Sequence, residues 1–444
     1  MPKRSSRRTF LKTTAVAGFS VTVLRSSVFG ANEKLHHASI GVAGMGGVDL
    51  GNFLSHPRTQ VVAICDVDRN RLEEGAKKAR EARKYTDWRE LLDQEGDRID
   101  SVNVTVPDHM HAVITLAAMK LKKHVYCQKP LCHDVAECRA VAEAAKAAGV
   151  VTQLGTQHAA GIGDRMGVQM MKNGAVGKVR HVYLCSNRGG GRGHGALGPR
   201  PARTDPVPAH LNWNLWLGTA PERPFAENTY HPGIWRGWLD FGTGWSGDIG
   251  CHIFDAVWKG LGLTAPQTVV AEVQKSWLES PERRADTWPQ SNHVTYVFPG
   301  NEKTEGDLTV EWHDGEFFAP EEVRKMVTGM AYPEEAAFVI GTEGGLLIPH
   351  QNGPQLFPRE KFKGFERPKV PGGNHYHLFC DACLGGAPTE SHFVQTGPMA
   401  EAIILGTVAI RCAGQQLEWD SAKLAVTNNP DAQKLLRREY RMGW

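Results

Sequence analysis

Short apolar runs and amphipathic stretches alternate along the first third of the chain, between about residues 36 and 157. The apolar runs predict strands at 38–42, 60–65, 101–106, 121–126 and 150–153. The amphipathic stretches between them predict helices at 48–55, 72–83, 88–92, 112–119 and 135–148. Because strands separated by helices pair side by side in parallel, this order predicts an α/β fold with a doubly wound parallel sheet.

The period of the pattern changes after residue 158. A helix is predicted at 164–173, and segments of alternating apolar and polar residues predict strands at 178–186, 267–276, 293–298, 307–313 and, as a hairpin, 337–349. A period of two suits an antiparallel sheet with one covered face. Later segments predict a helix at 398–413 and a short extended piece at 417–420. The chain is too long for one ordinary domain, so we expect two, at 36–157 and 158–444, sharing a cleft.

The first 31 residues do not fit either domain. Ser6-Arg7-Arg8-Thr9-Phe10-Leu11-Lys12 precedes an uncharged stretch at 13–24, as in a bacterial twin-arginine signal peptide. That stretch is too short and too rich in small residues for a stable membrane span, which needs about 20 apolar residues. We therefore expect a periplasmic or otherwise exported protein whose partner during export is the twin-arginine machinery.

Removal of this segment changes the sign of the formal net charge. It holds six basic and no acidic residues, so the formal net charge goes from +3 to −3 in the mature chain. No nucleic-acid partner is expected from such a balance. The nine cysteines lack a disulfide framework spacing and are predicted to be buried thiols. Cys380 and Cys383 alone have a redox or zinc spacing, which is more often core packing.

A glycine-rich turn follows the first predicted strand. Gly41, Gly44, Met45 and Gly46 lie in it, and Asp66 ends the second strand 25 residues after Gly41. Such glycines let a pyrophosphate approach a helix N-terminus, and a carboxylate at the next strand end can bind ribose hydroxyls. The motif is imperfect, because counting from Gly41 puts alanine at the second glycine position and counting from Gly44 puts aspartate at the third. We prefer the first frame, which keeps the spacing to Asp66.

Lys129 stands at the end of another predicted strand and precedes a proline. A residue before proline is pushed out of the α region, so the lysine side chain should project from the strand end. In a parallel sheet that edge is where ligands bind, and Gly41, Asp66, Thr105 and Gln157 are expected at the same edge. A lone lysine before proline is otherwise commonly a surface residue at a turn.

Asp248 and His252 are four residues apart on a predicted helix and therefore fall on one face. A carboxylate beside an imidazole can orient it and favour the imidazolium that forms when histidine accepts a proton. The pair is also compatible with a helix-start acid and a satisfied histidine, or with a metal site completed by Asp255.

Six tryptophans lie between residues 213 and 258, and Trp235-Arg236-Gly237-Trp238 lies just before the candidate helix. They are compatible with an aromatic core, but indole faces also suit the C–H faces of a sugar ring. We expect at least one to line a substrate pocket. The glycine- and arginine-rich segment 187–194 could wrap an anion, although a lid or a plain connection is more common.

Together these motifs resemble the glucose–fructose oxidoreductase, inositol dehydrogenase and MocA (Gfo/Idh/MocA) family. The resemblance rests on the 41–46 loop with Asp66, on Pro107-Asp108-His109, on Cys127-Gln128-Lys129-Pro130 and on 247–252. It implies an N-terminal Rossmann domain and a C-terminal α+β domain with a large, mostly antiparallel open sheet, often used to pair subunits as a dimer or tetramer. Gln128 stands where the family usually has glutamate, which removes a charge expected to keep Lys129 protonated.

The resemblance also implies a set of site residues and no metal ligands. The catalytic residues would be Lys129, Asp248 and His252. The cofactor would be NAD rather than NADP, because Asp66 repels a 2′-phosphate. Its binding residues would be Gly41, Gly44, Met45, Gly46, Asp66, Thr105, Pro107, His111, Gln128, Lys129 and Gln157. The substrate would contact Trp235, Arg236, Trp238 and His252.

These features predict an exported NAD-dependent oxidoreductase that acts on a sugar, sugar derivative or polyol and retains its cofactor tightly. One alternative is a redox-neutral, NAD-dependent glycoside hydrolase or lyase, in which transient oxidation acidifies a neighbouring C–H. Another is a non-catalytic protein that senses a dinucleotide or a sugar.

Overall fold

The computed structural model describes residues 34–188 and 198–444. The predicted signal peptide and most of the predicted anion-wrapping segment, residues 189–194, lie outside these ranges. Within them the chain forms two sheets, one of six strands and one of nine.

The first sheet is parallel throughout, as predicted, with the strand order β3-β2-β1-β4-β5-β6. Its strands are β1 (Leu35–Ile40), β2 (Thr59–Cys65), β3 (Arg83–Tyr85), β4 (Ser101–Val104), β5 (His124–Cys127) and β6 (Thr152–Leu154). The helices are α1 (Met45–Ser55), α2 (Arg69–Lys78), α3 (Trp88–Glu95), α4 (His111–Lys120) and α5 (Val135–Ala148). The order in which the chain adds strands reverses between β1 and β4. The crevice at the carboxyl ends of these two strands is therefore the expected ligand site.

Local signals explain several of these boundaries. Helix α5 begins at a capping box between Asp134 and Glu137 and ends at Gly149 in the left-handed conformation. Helix α2 was predicted at 72–83 but lies at 69–78, because Asp68 caps it by accepting a hydrogen bond from the Asn70 amide. The residues after it form strand β3 instead.

The second sheet has the order β13-β12-β11-β7-β10-β9-β8-β14-β15. Only β7 and β10 pair in parallel, so the sheet is mostly antiparallel, as predicted. Its strands are β7 (Val179–Ser186), β8 (Thr268–Val273), β9 (Asn292–Phe298), β10 (Thr304–Asp314), β11 (Glu335–Gly341), β12 (Gly345–Pro349), β13 (Gln355–Phe357), β14 (Leu417–Asp420) and β15 (Ala425–Val426).

Two long helices cover one face of this sheet. The helices of the second part are α6 (Ile162–Lys172), α7 (Trp213–Leu217), α8 (Gly244–Leu261), α9 (Lys275–Leu278), α10 (Pro281–Asp286), α11 (Glu321–Lys325), α12 (His375–Cys383), α13 (Phe393–Arg411) and α14 (Pro430–Lys434). Helices α8 and α13 pack with Val182, Val294 and Val310 of the sheet in one apolar core. The strand predicted at 267–276 ends at Val273 because helix α9 follows it.

Helix α13 is long and apolar enough to cross a membrane by length and composition. However, 83% of its apolar window is buried within the protein. It packs between helices α5 and α8 and strand β8, which accounts for its apolar character without a membrane.

Helix α12 connects the two parts of the chain. It begins at His375, where Asn374 caps it, and it packs on α1. Four residues of α12 are buried with Phe53 and Tyr126 in the core on that side of the first sheet. They are Tyr376, Phe379, Cys380 and Cys383. All nine cysteines are buried free thiols, as predicted, and the Cys380 and Cys383 pair is core packing.

Candidate active site

The turn after β1 is shaped for a close approach of chain and ligand. Gly41 has φ +84°, and a Cβ there would lie 2.0 Å from the Thr105 carbonyl oxygen. A Cβ at Gly46 would lie 2.3 Å from the Gly41 carbonyl oxygen, whereas one at Gly44, also at positive φ, would meet nothing within 4 Å. Glycine is therefore required for packing at Gly41 and Gly46, and Gly44 faces open space at the N-terminus of α1. This supports the motif frame counted from Gly41.

Asp66 closes the turn from the second strand. Its carboxylate accepts hydrogen bonds from the amides of Val42 (3.2 Å) and Asp68 (3.0 Å). Burial raises the pKa of Asp66 to about 6, since those bonds offset only part of the desolvation. Arg71 lines the same cleft and lowers that pKa in turn.

Asp68 joins the two domains beside this turn. It accepts hydrogen bonds from His210 Nδ1 and His231 Nε2, both at 2.9 Å, and Arg71 Nε lies 3.4 Å from it. Burial alone would raise the pKa of Asp68, but the hydrogen bonds from His231 and His210 bring it below its usual value. Second-domain residues therefore form one wall of the cleft opposite the glycine turn; these are Leu215, Trp216, His231, Pro232, Trp235 and Arg236.

Lys129 lies at the other end of the cleft, after β5, as its position before Pro130 predicts. Its Nζ donates to Asp248 Oδ1 at 2.5 Å, and both side chains are largely buried. Arg236 Nε lies 3.4 Å from the same oxygen, and the Arg236 guanidinium stacks on Trp235 at 4.2 Å from the ring centre. The structure thus brings together Lys129, Asp248, Trp235 and Arg236.

His252 lies one helical turn after Asp248 on α8. Its Nδ1 is buried and makes no hydrogen bond with the described residues. Two further imidazoles surround it: the His350 ring centre is 5.1 Å away and that of His158 is 6.4 Å away. Burial, together with the charges of Lys129 and His350, lowers the pKa of His252 well below its usual value. The imidazole is therefore neutral near pH 7 and can accept a proton.

Gln128 does not face the Lys129 ammonium. Its Nε2 donates to both carboxylate oxygens of Asp49, at 3.0 and 3.1 Å, and its Oε1 accepts from the Lys129 amide at 3.3 Å. Thr105 Oγ1 and the Tyr376 hydroxyl also donate to Asp49, each at 2.7 Å. Burial raises the pKa of Asp49 to about 6 in spite of these bonds. The Gln128 side chain therefore bonds to Asp49, and the carboxylate beside the Lys129 ammonium is Asp248.

Three residues expected in the site have other roles. His111 is buried, with Nδ1 2.6 Å from the Pro130 carbonyl oxygen and Nε2 2.8 Å from that of Val106, so both ring nitrogens are engaged by the backbone. Trp238 lies in an aromatic cluster and donates to the Thr229 carbonyl, so it is core rather than pocket. Gln157 donates to the hydroxyls of Tyr126 and Tyr376 and does not line the cleft.

The other predicted cofactor residues line one continuous cleft. They are Gly41, Gly44, Met45, Gly46, Asp66, Thr105, Pro107, Gln128 and Lys129. The alternative metal site with Asp255 is not supported, because Asp255 forms a buried ion pair with Lys259 at 2.6 Å.

Asp108 belongs to the Pro107-Asp108-His109 motif, and the sequence did not indicate a role for it. It is buried, accepts from the Thr243 amide and hydroxyl, and has a second oxygen without a hydrogen bond among the described residues. Burial and the nearby Asp248 charge raise its pKa to about 7, so it holds a proton over much of the neutral range. The sequence did not indicate His158 and His350 either, because they come from segments far from Asp248 in the chain.

Two family models match the chain. The one described as an oxidoreductase family with an NAD-binding Rossmann fold matches residues 35–156. The one described as the C-terminal alpha/beta domain of the oxidoreductase family matches residues 168–318. Together they cover the glycine turn, Lys129, Asp248 and His252.

Curated relatives match about a third of this chain. Myo-inositol 2-dehydrogenase of Thermotoga maritima is 30% identical over 149 residues, which are 34% of this chain and 44% of the relative. The 2,7-anhydro-N-acetylneuraminate hydratase of Escherichia coli is 28% identical over 152 residues, 33% of this chain and 39% of the relative. The matches thus span less than half the length of these relatives.

Solved structures extend the similarity over both domains. The WlbA dehydrogenase from Bordetella pertussis, solved in complex with NADH and UDP-GlcNAcA, superposes with a TM-score of 0.59 at 14% identity. The superposition covers 87% of this chain and 99% of that one. At this identity the likeness establishes the fold alone.

Proposed function

Because this chain belongs to the Gfo/Idh/MocA oxidoreductase family, we propose that it is an NAD-dependent dehydrogenase of a sugar, sugar derivative or polyol. One observation carries the proposal. A cleft that begins at the glycine turn and Asp66 ends at the Lys129–Asp248 ion pair, one helical turn from a neutral His252. A dinucleotide site and an acid–base pair thus meet in one place.

The residues of the cleft fit NAD. The open space at Gly44 and the N-terminus of α1 suit a pyrophosphate, and Asp66 suits ribose hydroxyls and disfavours a 2′-phosphate. Thr105, Pro107 and Lys129 line the side of the cleft that leads to α8. When bound there, NAD supplies the acceptor for the hydride that leaves the alcohol carbon.

The protein groups supply the proton chemistry. The Lys129 ammonium donates a hydrogen bond to the substrate oxygen and stabilises the negative charge that develops on it. His252, neutral because of its lowered pKa, takes the hydroxyl proton. Asp248 holds Lys129 in place, and Arg236 holds Asp248 from the other side. Trp235 and Arg236 line the cleft, where the indole offers an apolar face and the guanidinium offers donors to a polyol.

The cofactor is proposed to stay bound through many turnovers. Hydrogen bonds from His210 and His231 to Asp68 fasten second-domain residues beside the nucleotide end of the cleft, which favours retention. A twin-arginine signal would export the protein already folded, and retained NAD would then be regenerated on the protein by a second sugar or by the same substrate. We further propose that the mature protein is periplasmic and a homo-oligomer.

The test is to purify the chain with its signal, from the periplasm, without added nucleotide. Acid release should yield close to one NAD(H) per chain, and a panel of sugars and polyols should change the bound cofactor's absorbance without added NAD. Cofactor-free protein that reacts only with millimolar NAD would contradict retention but leave an ordinary dehydrogenase. Absence of both NAD binding and turnover, with correct folding, would contradict the function itself, and NAD binding without turnover of any substrate would favour a sensing protein.

A redox-neutral reaction is the second candidate, and one observation favours it. A relative matched over a third of this chain carries the name of a hydratase rather than a dehydrogenase. In this case a first oxidation would acidify a neighbouring C–H, His252 would remove that proton, and the electrons would return to the product. Formation of hydrolysed or dehydrated sugar with no net change in NADH would identify this mechanism, whereas a stoichiometric keto sugar would identify simple oxidation.

A further inference from the structure

The face of the nine-stranded sheet that α8 and α13 do not cover carries a group of histidines around one glutamate. On β10, Val310 and Trp312 point into the apolar core, so Glu311 and His313 point to the opposite face. His293 of β9 pairs directly with His313, and His181 of β7 lies on the other side of β10. Three adjacent strands therefore place three imidazoles beside one carboxylate, away from the cofactor cleft.

The nitrogens converge on the carboxylate. Glu311 Oε1 lies 2.7 Å from His181 Nε2, and Glu311 Oε2 lies 2.8 Å from His293 Nε2 and 3.1 Å from His313 Nε2. One ligand atom from each of His293, Glu311 and His313 lies within 4.8 Å of the others. A tetrahedral ion with bonds near 2.0–2.1 Å has ligand atoms about 3.3 Å apart, so small side-chain rotations would bring these atoms around one ion.

Among these four residues, His313 gives the clearest argument for a bound cation. Its side chain is buried, with 4% of its surface exposed, yet neither ring nitrogen makes a hydrogen bond of proper geometry with the described residues. A buried imidazole without a partner costs free energy. One nitrogen is nevertheless aimed at Glu311, which is the arrangement of a nitrogen lone pair and a carboxylate that share a cation.

We propose that Glu311, His293 and His313 bind a divalent transition-metal ion, with His181 as a fourth ligand. Imidazole and carboxylate donors together suit zinc, whereas calcium and magnesium prefer oxygen alone. Glu272 Oε1 lies 3.8 Å from His293 Nδ1, beyond hydrogen-bond distance, and a small rotation of this exposed side chain would let it accept from the metal-bound imidazole. His181 and His293 are partly exposed, so the ion can enter from solvent. The bound ion links strands β7, β9 and β10.

Full-length tag-free protein, stripped with a chelator and dialysed, is titrated with Zn²⁺ by calorimetry, and bound zinc is then counted by mass spectrometry. We expect about one Zn²⁺ per chain and a higher melting temperature with zinc. Glu311→Gln and His293→Gln should each weaken zinc binding at least 100-fold and abolish the melting shift, and Glu272→Gln should weaken binding about tenfold.

His350→Gln is the matched control, because it removes a histidine from the other imidazole group, near His252, and should leave zinc binding unchanged. Folding of each variant is verified by circular dichroism before titration. The His293 side chain is a fifth exposed, so His293→Gln should fold even if a substitution at a more buried position of the cluster prevents folding. Wild-type protein that binds no zinc, or zinc binding that survives both Glu311→Gln and His293→Gln, would overturn the site; loss in His350→Gln alone would place the ion elsewhere.

Discussion

The two ends of the cofactor cleft each hold a buried aspartate, but different kinds of donor surround the two carboxylates. Asp49, near Lys129, is bonded by the neutral groups of Thr105, Gln128 and Tyr376. Asp68, at the nucleotide end, is bonded by two histidines and faces an arginine. Burial raises the pKa of Asp49 to about 6, whereas the histidine bonds outweigh burial and lower the pKa of Asp68.

Both carboxyls accept hydrogen bonds, but those to Asp68 come from imidazoles, with the Arg71 guanidinium nearby, and they outweigh its burial. The neutral donors around Asp49 offset only part of the effect of burial on its pKa. The difference also matches position: the Asp49 group supports the peptide that carries Lys129, while the Asp68 group fastens one domain to the other. The catalytic end and the nucleotide end should therefore respond differently to substitution.

The largest effect is expected at the catalytic end. Lys129→Ala and His252→Ala should each lower turnover about 10² to 10⁴-fold, the range for a positioned acid or base, and leave bound NAD unchanged. Turnover and acid-released NAD are measured in parallel. Lys434→Ala, on an exposed helix, serves as the control and should match the wild type. Loss of cofactor in both cleft variants would mean that these residues bind rather than catalyse.

A smaller effect should separate the two aspartates by pH. The folded pKa of Asp49 lies above its unfolded value, so the folded state holds more protons there and the wild type loses stability as pH rises through about 4 to 6. Asp49→Asn removes this loss. The free energy of unfolding of the variant relative to the wild type should therefore improve by about 1–2 kcal/mol between pH 5 and pH 8.

Urea unfolding at the two pH values measures the change. Asp93→Asn, an exposed aspartate on α3, is the control and should show no such difference. An Asp49→Asn variant whose relative stability is the same at both pH values would show that Asp49 is ionised as readily in the folded as in the unfolded chain.

The smallest effect is expected at the nucleotide end. Asp68→Asn keeps an acceptor for helix α2 but weakens the bonds to His210 and His231, so the second-domain wall is held less firmly. The rate of NAD release, followed by the fluorescence of the bound reduced cofactor, should rise roughly three- to tenfold, the worth of one ordinary hydrogen bond. The chemical step in a single turnover should not change. A slowed chemical step with unchanged release would contradict the division between the two ends.

The sequence predicted those features that depend on neighbours along the chain. The alternation of strands and helices, the glycine turn, and the projection of Lys129 before Pro130 all follow from local rules, and the structure bears out the two sheets. The ion pair between Lys129 and Asp248 links residues 119 positions apart, and the resemblance of the motifs, rather than any pattern, brought them together.

The missed features depend on distant partners. Gln128 turns to Asp49, which lies on the first helix, and no local pattern indicates that direction. Trp235 and Trp238 are only three positions apart and belong to the same aromatic cluster, yet only Trp235 also lines the cleft, because packing rather than residue type decides between them. The sequence predicted a strand at 307–313 but not that Glu311 and His313 on it would lie beside His181 and His293.

Helix α12 sets a condition on how the nascent chain matures. Residues 35–154 supply all six strands of the first sheet, but among the described residues the apolar cluster around Phe53 and Tyr126 is completed by α12, with Tyr376, Phe379, Cys380 and Cys383. During synthesis this apolar surface stays uncovered until the ribosome has translated most of the second domain. The two domains therefore complete their folding together rather than one after the other. An amino-terminal fragment produced alone would expose this apolar surface to chaperones and proteases.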